Sequence, residues 1–200
     1  MRKESTEYFQ RLVKIYQICT LLFTISIFSL AKSDYAFAAL PDLTLENIDG
    51  QPVKLSSFQG QVLLIVNTAS LCGFTSQYKD LERLQLDYQN RGFTVLGFPS
   101  NDFKNQEPSS NQEIKSFCTS KFHVTFPLFA KNSVTGEKIQ PLFKFLTSSD
   151  EEQLKGEVSW NFEKFLIDRT GRLRARFGSF VNPMNNKITQ KLEELLNEKP

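Results

Sequence analysis

Cys72 and Cys118 are the two of the chain's three cysteines that lie outside an apolar N-terminal segment. Cys72 follows the continuous apolar run 62–70 and precedes residues at helical spacing, so it falls at a strand-to-helix junction. A helix N-terminus presents free N–H groups and partial positive charge, which stabilise a thiolate, and only the thiolate is nucleophilic. The position therefore favours a reactive cysteine, with a structural Cys72–Cys118 disulfide as the alternative.

The residues that follow Cys72 limit the reactions that this cysteine is expected to carry out. The tetrapeptide Cys72-Gly73-Phe74-Thr75 lacks the second cysteine of a C-x-x-C site, so disulfide exchange through a neighbouring thiol is not expected. A lone thiolate at this junction predicts peroxide reduction, in which the sulfur attacks an O–O bond and becomes a sulfenic acid.

The elements that must position Cys72 belong to one predicted mixed sheet and its helices. Predicted strands form a hairpin around Asp49-Gly50, the buried runs 62–70 and 93–100, the stretch 124–129, and a hairpin that turns at 168–171. A first helix is predicted to begin after Thr75 or Ser76, either of which can cap it, and a second begins at the Ser110-x-x-Glu113 capping box. A third, near the C-terminus, carries Ile188, Leu192, Leu195 and Leu196 on one face. This order predicts a thioredoxin-like α/β fold, a mixed central sheet flanked by helices with an N-terminal β-hairpin.

Three segments resemble, in order, the motifs of the glutathione peroxidase family. They are NTASLCGFT (67–75), FPSNDFKNQEP (98–108) and WNFEKFL (160–166), within a similarity that runs from about Leu40 to Leu196. The resemblance implies a thiol peroxidase that reduces hydrogen peroxide and organic or lipid hydroperoxides in antioxidant defence, without a metal or cofactor. It also implies a catalytic tetrad of Cys72, Gln106, Trp160 and Asn161. Neutral amide and indole donors suit the negative charge that develops as O–O breaks.

The chain departs from the family pattern at Ser100 and Asp102, where relatives carry Cys and Gln. Ser100 leaves Cys118 as the candidate resolving cysteine, because thioredoxin-dependent members carry a resolving cysteine in this region. Forming a Cys72–Cys118 disulfide would require the second helix to unwind locally. Alternatively, Cys118 is an ordinary buried helix cysteine. The Asp102 carboxylate would disfavour a thiolate if it pointed inward.

The resemblance also bears on the partners. The Arg and Lys residues that bind glutathione in tetrameric animal enzymes have no assignable matches here, so a thioredoxin-like reductant is expected in preference to glutathione. The segment 147–159 is short where tetrameric relatives carry longer loops, which predicts a monomer. An alternative function is a non-enzymatic redox sensor or binding module that uses a Cys72–Cys118 switch. A sensor has no need of donors for a leaving alkoxide, and the intact tetrad argues against it.

Residues 1–38 differ from the rest of the chain. A basic start precedes the uncharged stretch 15–31, and Ala36-Phe37-Ala38 follows, which predicts a secretory signal cut after Ala38 and an extracytosolic protein. An uncleaved membrane anchor is the alternative.

Charge and composition argue against two further classes of function, nucleic-acid binding and metal binding through histidines. The remainder, 39–200, is one predicted domain with 19 basic and 19 acidic side chains, and this balance predicts no nucleic-acid surface. His123 is the single histidine, which argues against a His-rich metal site.

Overall fold

A four-stranded mixed sheet with helices on both faces forms the centre of the computed structural model, which describes residues 39–198. The strands are β1 (Thr44–Glu46), β2 (Pro52–Lys54), β3 (Val62–Thr68), β4 (Phe93–Pro99), β5 (Lys164–Ile167) and β6 (Leu173–Phe177). The α-helices are α1 (Gln77–Tyr88), α2 (Asn111–Phe122), α3 (Pro141–Thr147) and α4 (Asn186–Asn197). Two 3-10 helices span Leu55–Phe58 and Gln89–Arg91.

The central strand β3 explains how the layers are built. The strand order is β4-β3-β5-β6, with β3 parallel to β4 and antiparallel to β5. All seven residues of β3 are buried because successive side chains enter different cores. Val62, Leu64 and Val66 pack with α1, α2 and α4 on one face. Leu63 and Ile65 pack with α3 on the other face.

Most predicted elements are confirmed, including the thioredoxin-like α/β arrangement. The β1–β2 hairpin turns through Gly50, whose φ of 77° suits glycine. The capping box of α2 has both of its hydrogen bonds: Glu113 N–H donates to Ser110 Oγ, and Ser110 N–H donates to the Glu113 carboxylate. Ile188, Leu192, Leu195 and Leu196 line the buried face of α4.

One predicted strand was wrong, and one helix was not predicted. Residues 124–129 make only isolated bridges rather than a strand. They follow the edge of β4, where Gly97 N–H donates to Pro127 O and Phe129 N–H donates to Gly97 O, both at 2.9 Å. Pro127 has no N–H for a regular ladder. The helix α3 was not predicted at all, because its seven residues are too few to show a helical period.

The first described residues lie at one pole of the sheet. Leu40 N–H donates to Gly171 O at 2.8 Å, in the turn between β5 and β6. This turn lies beside the start of β3, because Ile167 pairs with Leu63. Among residues 39–198 no helix has the length and hydropathy needed to cross a bilayer. The predicted signal or anchor, residues 1–38, lies outside the described part of the chain.

Candidate active site

Cys72 lies in the turn between β3 and α1, with only 8% of its surface exposed. The backbone N–H of Phe74 donates to Cys72 Sγ at 3.4 Å. Thr75 Oγ1 accepts from Cys72 N–H at 3.1 Å and donates to the carbonyl of Cys72 (2.7 Å) or of Ala69 (2.9 Å). The turn is therefore fixed from inside, with a backbone donor aimed at the sulfur.

The predicted cap of α1 is corrected by this turn. Ser76 occupies the cap position without a side-chain hydrogen bond, and the Thr75 hydroxyl is engaged with the Cys72 turn instead. Because α1 begins at Gln77, five residues after Cys72, the donor nearest to the sulfur belongs to the turn rather than to the helix.

The structure brings Gln106 and Asn161 into direct contact. Asn161 Nδ2 donates to Gln106 Oε1 at 2.9 Å, although the residues are 55 positions apart. Leu71 N–H donates to Gln106 O at 3.0 Å and so joins this pair to the Cys72 turn. Trp160 packs against the core cluster that contains Cys72, and its ring lies 5.7 Å from that of Phe103. The four predicted tetrad residues thus gather at the carboxyl end of β3.

Within residues 39–198, the side chains of Gln106, Trp160 and Asn161 make no hydrogen bond to Cys72 Sγ. The Asn161 amide is turned to Gln106, and Phe74 supplies the donor to the sulfur. Catalytic hydrogen bonds often form only in the substrate complex. The site can therefore offer neutral donors to an incoming oxygen without first breaking bonds to the thiol.

Asn67 holds the segment that carries Trp160 and Asn161. Its Nδ2 donates to Trp160 O, and its Oδ1 accepts from Glu163 N–H, both at 2.9 Å. Its backbone carbonyl accepts from Phe162 N–H at 2.7 Å. Phe162 is fully buried with a left-handed φ of 62°, a conformation that bulky residues adopt only when their surroundings impose it.

A buried ion pair supports the same segment from the other side. The Glu163 carboxylate accepts from Ser159 N–H (2.6 Å) and from Arg176 Nη2 (2.7 Å). Arg176 also donates to the carbonyls of Gly156 and Glu157, both at 2.6 Å. The ion pair between Glu163 and Arg176 thus holds the backbone of the loop that precedes Trp160.

The Gln106 loop has its own anchors. Glu107 is fully buried, and its carboxylate accepts from Ser70 Oγ at 3.0 Å. Burial raises the pKa of the Glu107 carboxyl, and the Ser70 hydrogen bonds only partly offset this. Lys131 Nζ donates to the carbonyls of residues 107–109 at 3.2, 3.3 and 2.6 Å. The backbone that directly follows Gln106 is therefore tied to the protein.

Asp102 does not face the thiol. Its carboxylate accepts from Ser100 Oγ (2.9 Å), Ser133 Oγ (3.1 Å) and Val134 N–H (2.6 Å). The inward-pointing geometry considered for Asp102 is thus excluded. The aspartate that stands here in place of the family's Gln binds the 133–134 loop instead.

Cys118 is a free, fully buried thiol on α2, in the same core cluster as Cys72. Burial, opposed by the hydroxyl of Tyr78 and assisted by the charge of Glu107, raises the pKa of the Cys118 thiol to about 11. Cys118 is therefore a thiol at neutral pH in this conformation, and it becomes nucleophilic only if α2 opens. Its resolving role stays a prediction.

Several positioning residues escaped the sequence-based prediction. Asn67, Glu107 and Glu163 were quoted within motifs, but nothing in residue type separates a buried positioning amide or carboxylate from an exposed one. Lys164 is fully buried in β5. The only sequence signal for its burial is its place next to the apolar residues of the strand KFLI.

Comparisons with known proteins agree with this geometry. Residues 40–147 match the family model described as glutathione peroxidase. The chain is 50% identical over 155 residues to a hydroperoxy fatty acid reductase of Synechocystis sp., covering 74% of this chain and 90% of that protein. It is 47% identical over 142 residues to a glutathione peroxidase-like peroxiredoxin of Schizosaccharomyces pombe, covering 71% and 90%.

Solved structures give the same picture. T. cruzi GPX1 superposes with a TM-score of 0.63 at 34% identity, covering 80% of this chain and 97% of that one. A thiol:disulfide interchange protein of the thioredoxin family from Chlorobium tepidum superposes with a TM-score of 0.61 at 18% identity, covering 82% and 100%. The second likeness is one of fold alone.

Proposed function

The chain belongs to the glutathione peroxidase family and is a thiol-dependent peroxidase, and we propose that Cys72 is the residue that attacks the hydroperoxide. The observation that carries the assignment of Cys72 is its turn, where a backbone N–H meets the sulfur beside the Gln106–Asn161 pair. The enzyme acts on hydroperoxides in antioxidant defence.

In the proposed step, the Cys72 thiolate attacks the terminal oxygen of ROOH. An S–O bond forms, the O–O bond breaks, and the RO⁻ that leaves takes up a proton to become an alcohol, or water when the substrate is hydrogen peroxide. Gln106, Trp160 and Asn161 donate to the negative charge that develops on the oxygens. The electrons come from thiols, and the proposed cycle uses no metal or cofactor.

For the second half of the cycle we propose Cys118 as the resolving cysteine. Its thiolate attacks the sulfur of the Cys72 sulfenic acid, hydroxide leaves and is protonated to water, and a Cys72–Cys118 disulfide forms. A thioredoxin-like protein is the preferred reductant, with glutathione as the alternative. This proposal is supported by the free Cys118 thiol in the same core cluster and by the similarity to proteins named peroxiredoxins.

The location and assembly of the enzyme are also proposals. The basic, apolar and small-residue pattern of residues 1–38 supports export, with a membrane anchor as the alternative. The short segment 147–159 supports a monomer.

One experiment tests both steps. The reduced protein receives one equivalent of hydrogen peroxide, and its cysteine peptides are mapped by mass spectrometry. We expect a Cys72–Cys118 disulfide in the wild type, a sulfenic Cys72 in Cys118→Ser, and no peroxide consumption in Cys72→Ser. A free Cys118 thiol beside an oxidised Cys72 in the wild type would refute the resolving role, and consumption by Cys72→Ser would refute the assignment of Cys72. A protein that forms the disulfide but turns over with neither thioredoxin nor glutathione would be a sensor instead.

A further inference from the structure

Large exposed apolar side chains adjoin the candidate active site. Among residues 39–198 three such side chains stand out: Phe180 (89% exposed), Leu71 (64%) and Leu86 (52%). Leu71 directly precedes Cys72, and the ring of Phe180 packs edge-on against Phe74, with centroids 5.0 Å apart. Phe74 supplies the N–H that meets Cys72 Sγ. Leu71, Phe74 and Phe180 therefore form an apolar platform at the thiol.

The loop that carries Phe180 is fixed by buried side chains. Gln77 Nε2, from α1, donates to Ser179 O at 2.7 Å. Lys164 Nζ, from β5, donates to Val181 O at 2.6 Å and to Ser179 O at 3.4 Å. Both donors are buried, and they hold the residues on either side of Phe180. The ring is therefore presented to solvent by a loop that the protein fixes from beneath.

The geometry of the reaction determines which part of a substrate lies against this platform. The reacting oxygen must touch Cys72 Sγ, and the thiol is only 8% exposed. Only the peroxide end of a substrate therefore reaches the sulfur, and the organic group, two bonds from the reacting oxygen, must lie over the rim. On one side of the thiol that rim carries the exposed apolar side chains of Leu71 and Phe180.

We propose that the platform binds the apolar chain of an organic hydroperoxide, such as the acyl chain of a fatty acid hydroperoxide. The inference rests on the proposed function, because it takes Cys72 as the attacking residue. Binding removes apolar surface of the chain and of the platform from water, which favours the complex in proportion to the area covered. Hydrogen peroxide has no organic group and gains nothing from this contact. Leu71 and Phe180 thereby set the preference between the two substrates.

The test measures oxidation of the reduced protein in a single turnover, without any reductant, in a stopped-flow instrument. Trp160 is the single tryptophan of the chain, and its fluorescence reports the oxidation of Cys72. Linoleic acid hydroperoxide is compared with hydrogen peroxide in the wild type, Phe180→Ser, Leu71→Ser and the control Leu86→Ser. Leu86 is the third exposed apolar residue and lies outside the platform.

We expect the ratio of the two rate constants, linoleic acid hydroperoxide over hydrogen peroxide, to fall about tenfold in each platform variant, equivalent to about 1.4 kcal/mol. The control should keep the wild-type ratio. Unchanged ratios in Phe180→Ser and Leu71→Ser would overturn the platform but leave the proposed function intact. Unchanged ratios with slower thioredoxin-driven turnover would assign the surface to the reductant and also overturn it. Failure of both peroxides to oxidise Cys72 in the wild type would refute the proposed function itself.

Discussion

Lys164 offers a quantitative test of how the active-site surroundings are built. Its side chain is fully buried and its ammonium donates to the carbonyls of Val181 and Ser179. Burial lowers the pKa of Lys164 from 10.5 to about 7, and the neighbouring Glu163 only partly offsets this. A difference of about 3.5 corresponds to ~5 kcal/mol of cost for the charged form, at about 1.4 kcal/mol per pKa unit.

The sign of the pH effect follows from which state holds the proton. Between pH 7 and 10.5 the folded protein has released the Lys164 proton while the unfolded chain still holds it. The unfolded state then binds more protons, so the free energy of unfolding rises with pH. Each pH unit inside this window should contribute about 1.4 kcal/mol. Below pH 7 both states are protonated and the contribution is constant.

The assay compares urea unfolding of the reduced wild type and of Lys164→Met between pH 6 and pH 10. Other groups that titrate contribute equally to both proteins, so the difference in unfolding free energy isolates Lys164. From pH 7.5 to 9.5 that difference should change by about 3 kcal/mol in favour of the wild type. Lys79→Met replaces an exposed lysine of α1 and serves as the matched control. An unfolding free-energy difference for Lys164→Met that does not change with pH would refute the reasoning.

Three further predictions address the site and the N-terminus. Gln106→Ala, Trp160→Phe and Asn161→Ala should each raise the activation free energy of Cys72 oxidation by peroxide by about 2–4 kcal/mol, the scale of losing one oxyanion donor. Because Trp160→Phe lacks the fluorophore, the rates are read from quenched-flow samples by mass spectrometry, and rates equal to wild type in all three would contradict the tetrad. Iodoacetamide at pH 8 should label Cys118 on the order of 100-fold more slowly in the native than in the urea-unfolded protein, because burial raises its pKa to about 11. Equal labelling rates, read from the Cys118 peptide by mass spectrometry, would show that α2 does not protect the thiol. The mature chain should begin near Ala39, which N-terminal sequencing after cell fractionation decides; an intact Met1 in the membrane fraction would favour the anchor.

Features with local signals could be predicted from the sequence. The Asp49-Gly50 turn, the apolar run of β3 and the Ser110–Glu113 capping box each involve residues within a few positions of one another, and all three are present. The prediction of a strand at 124–129 was wrong because the β-branched and aromatic residues there favour a strand locally. The actual pairing of this stretch depends on Pro127 and on the edge of β4, which is distant in sequence.

The residues of the candidate site also divide into those with a local sequence signal and those without one. Cys72 could be placed at a strand-to-helix junction from local patterns, whereas Gln106, Trp160 and Asn161 came only from the family resemblance. Their meeting depends on contacts between distant parts of the chain, such as Asn161 to Gln106 across 55 positions. The bond from Asn67 to Trp160 spans 93 positions, and no local pattern reveals it.

The hydrogen bond between Leu40 and Gly171 has a consequence for how the enzyme can be tethered. It fixes the start of the described chain at the foot of β3, whereas Cys72 follows the other end of the strand, about 20 Å away along seven residues. A laboratory linker joined at residue 39 is therefore attached about one strand length from Cys72, at the opposite end of β3.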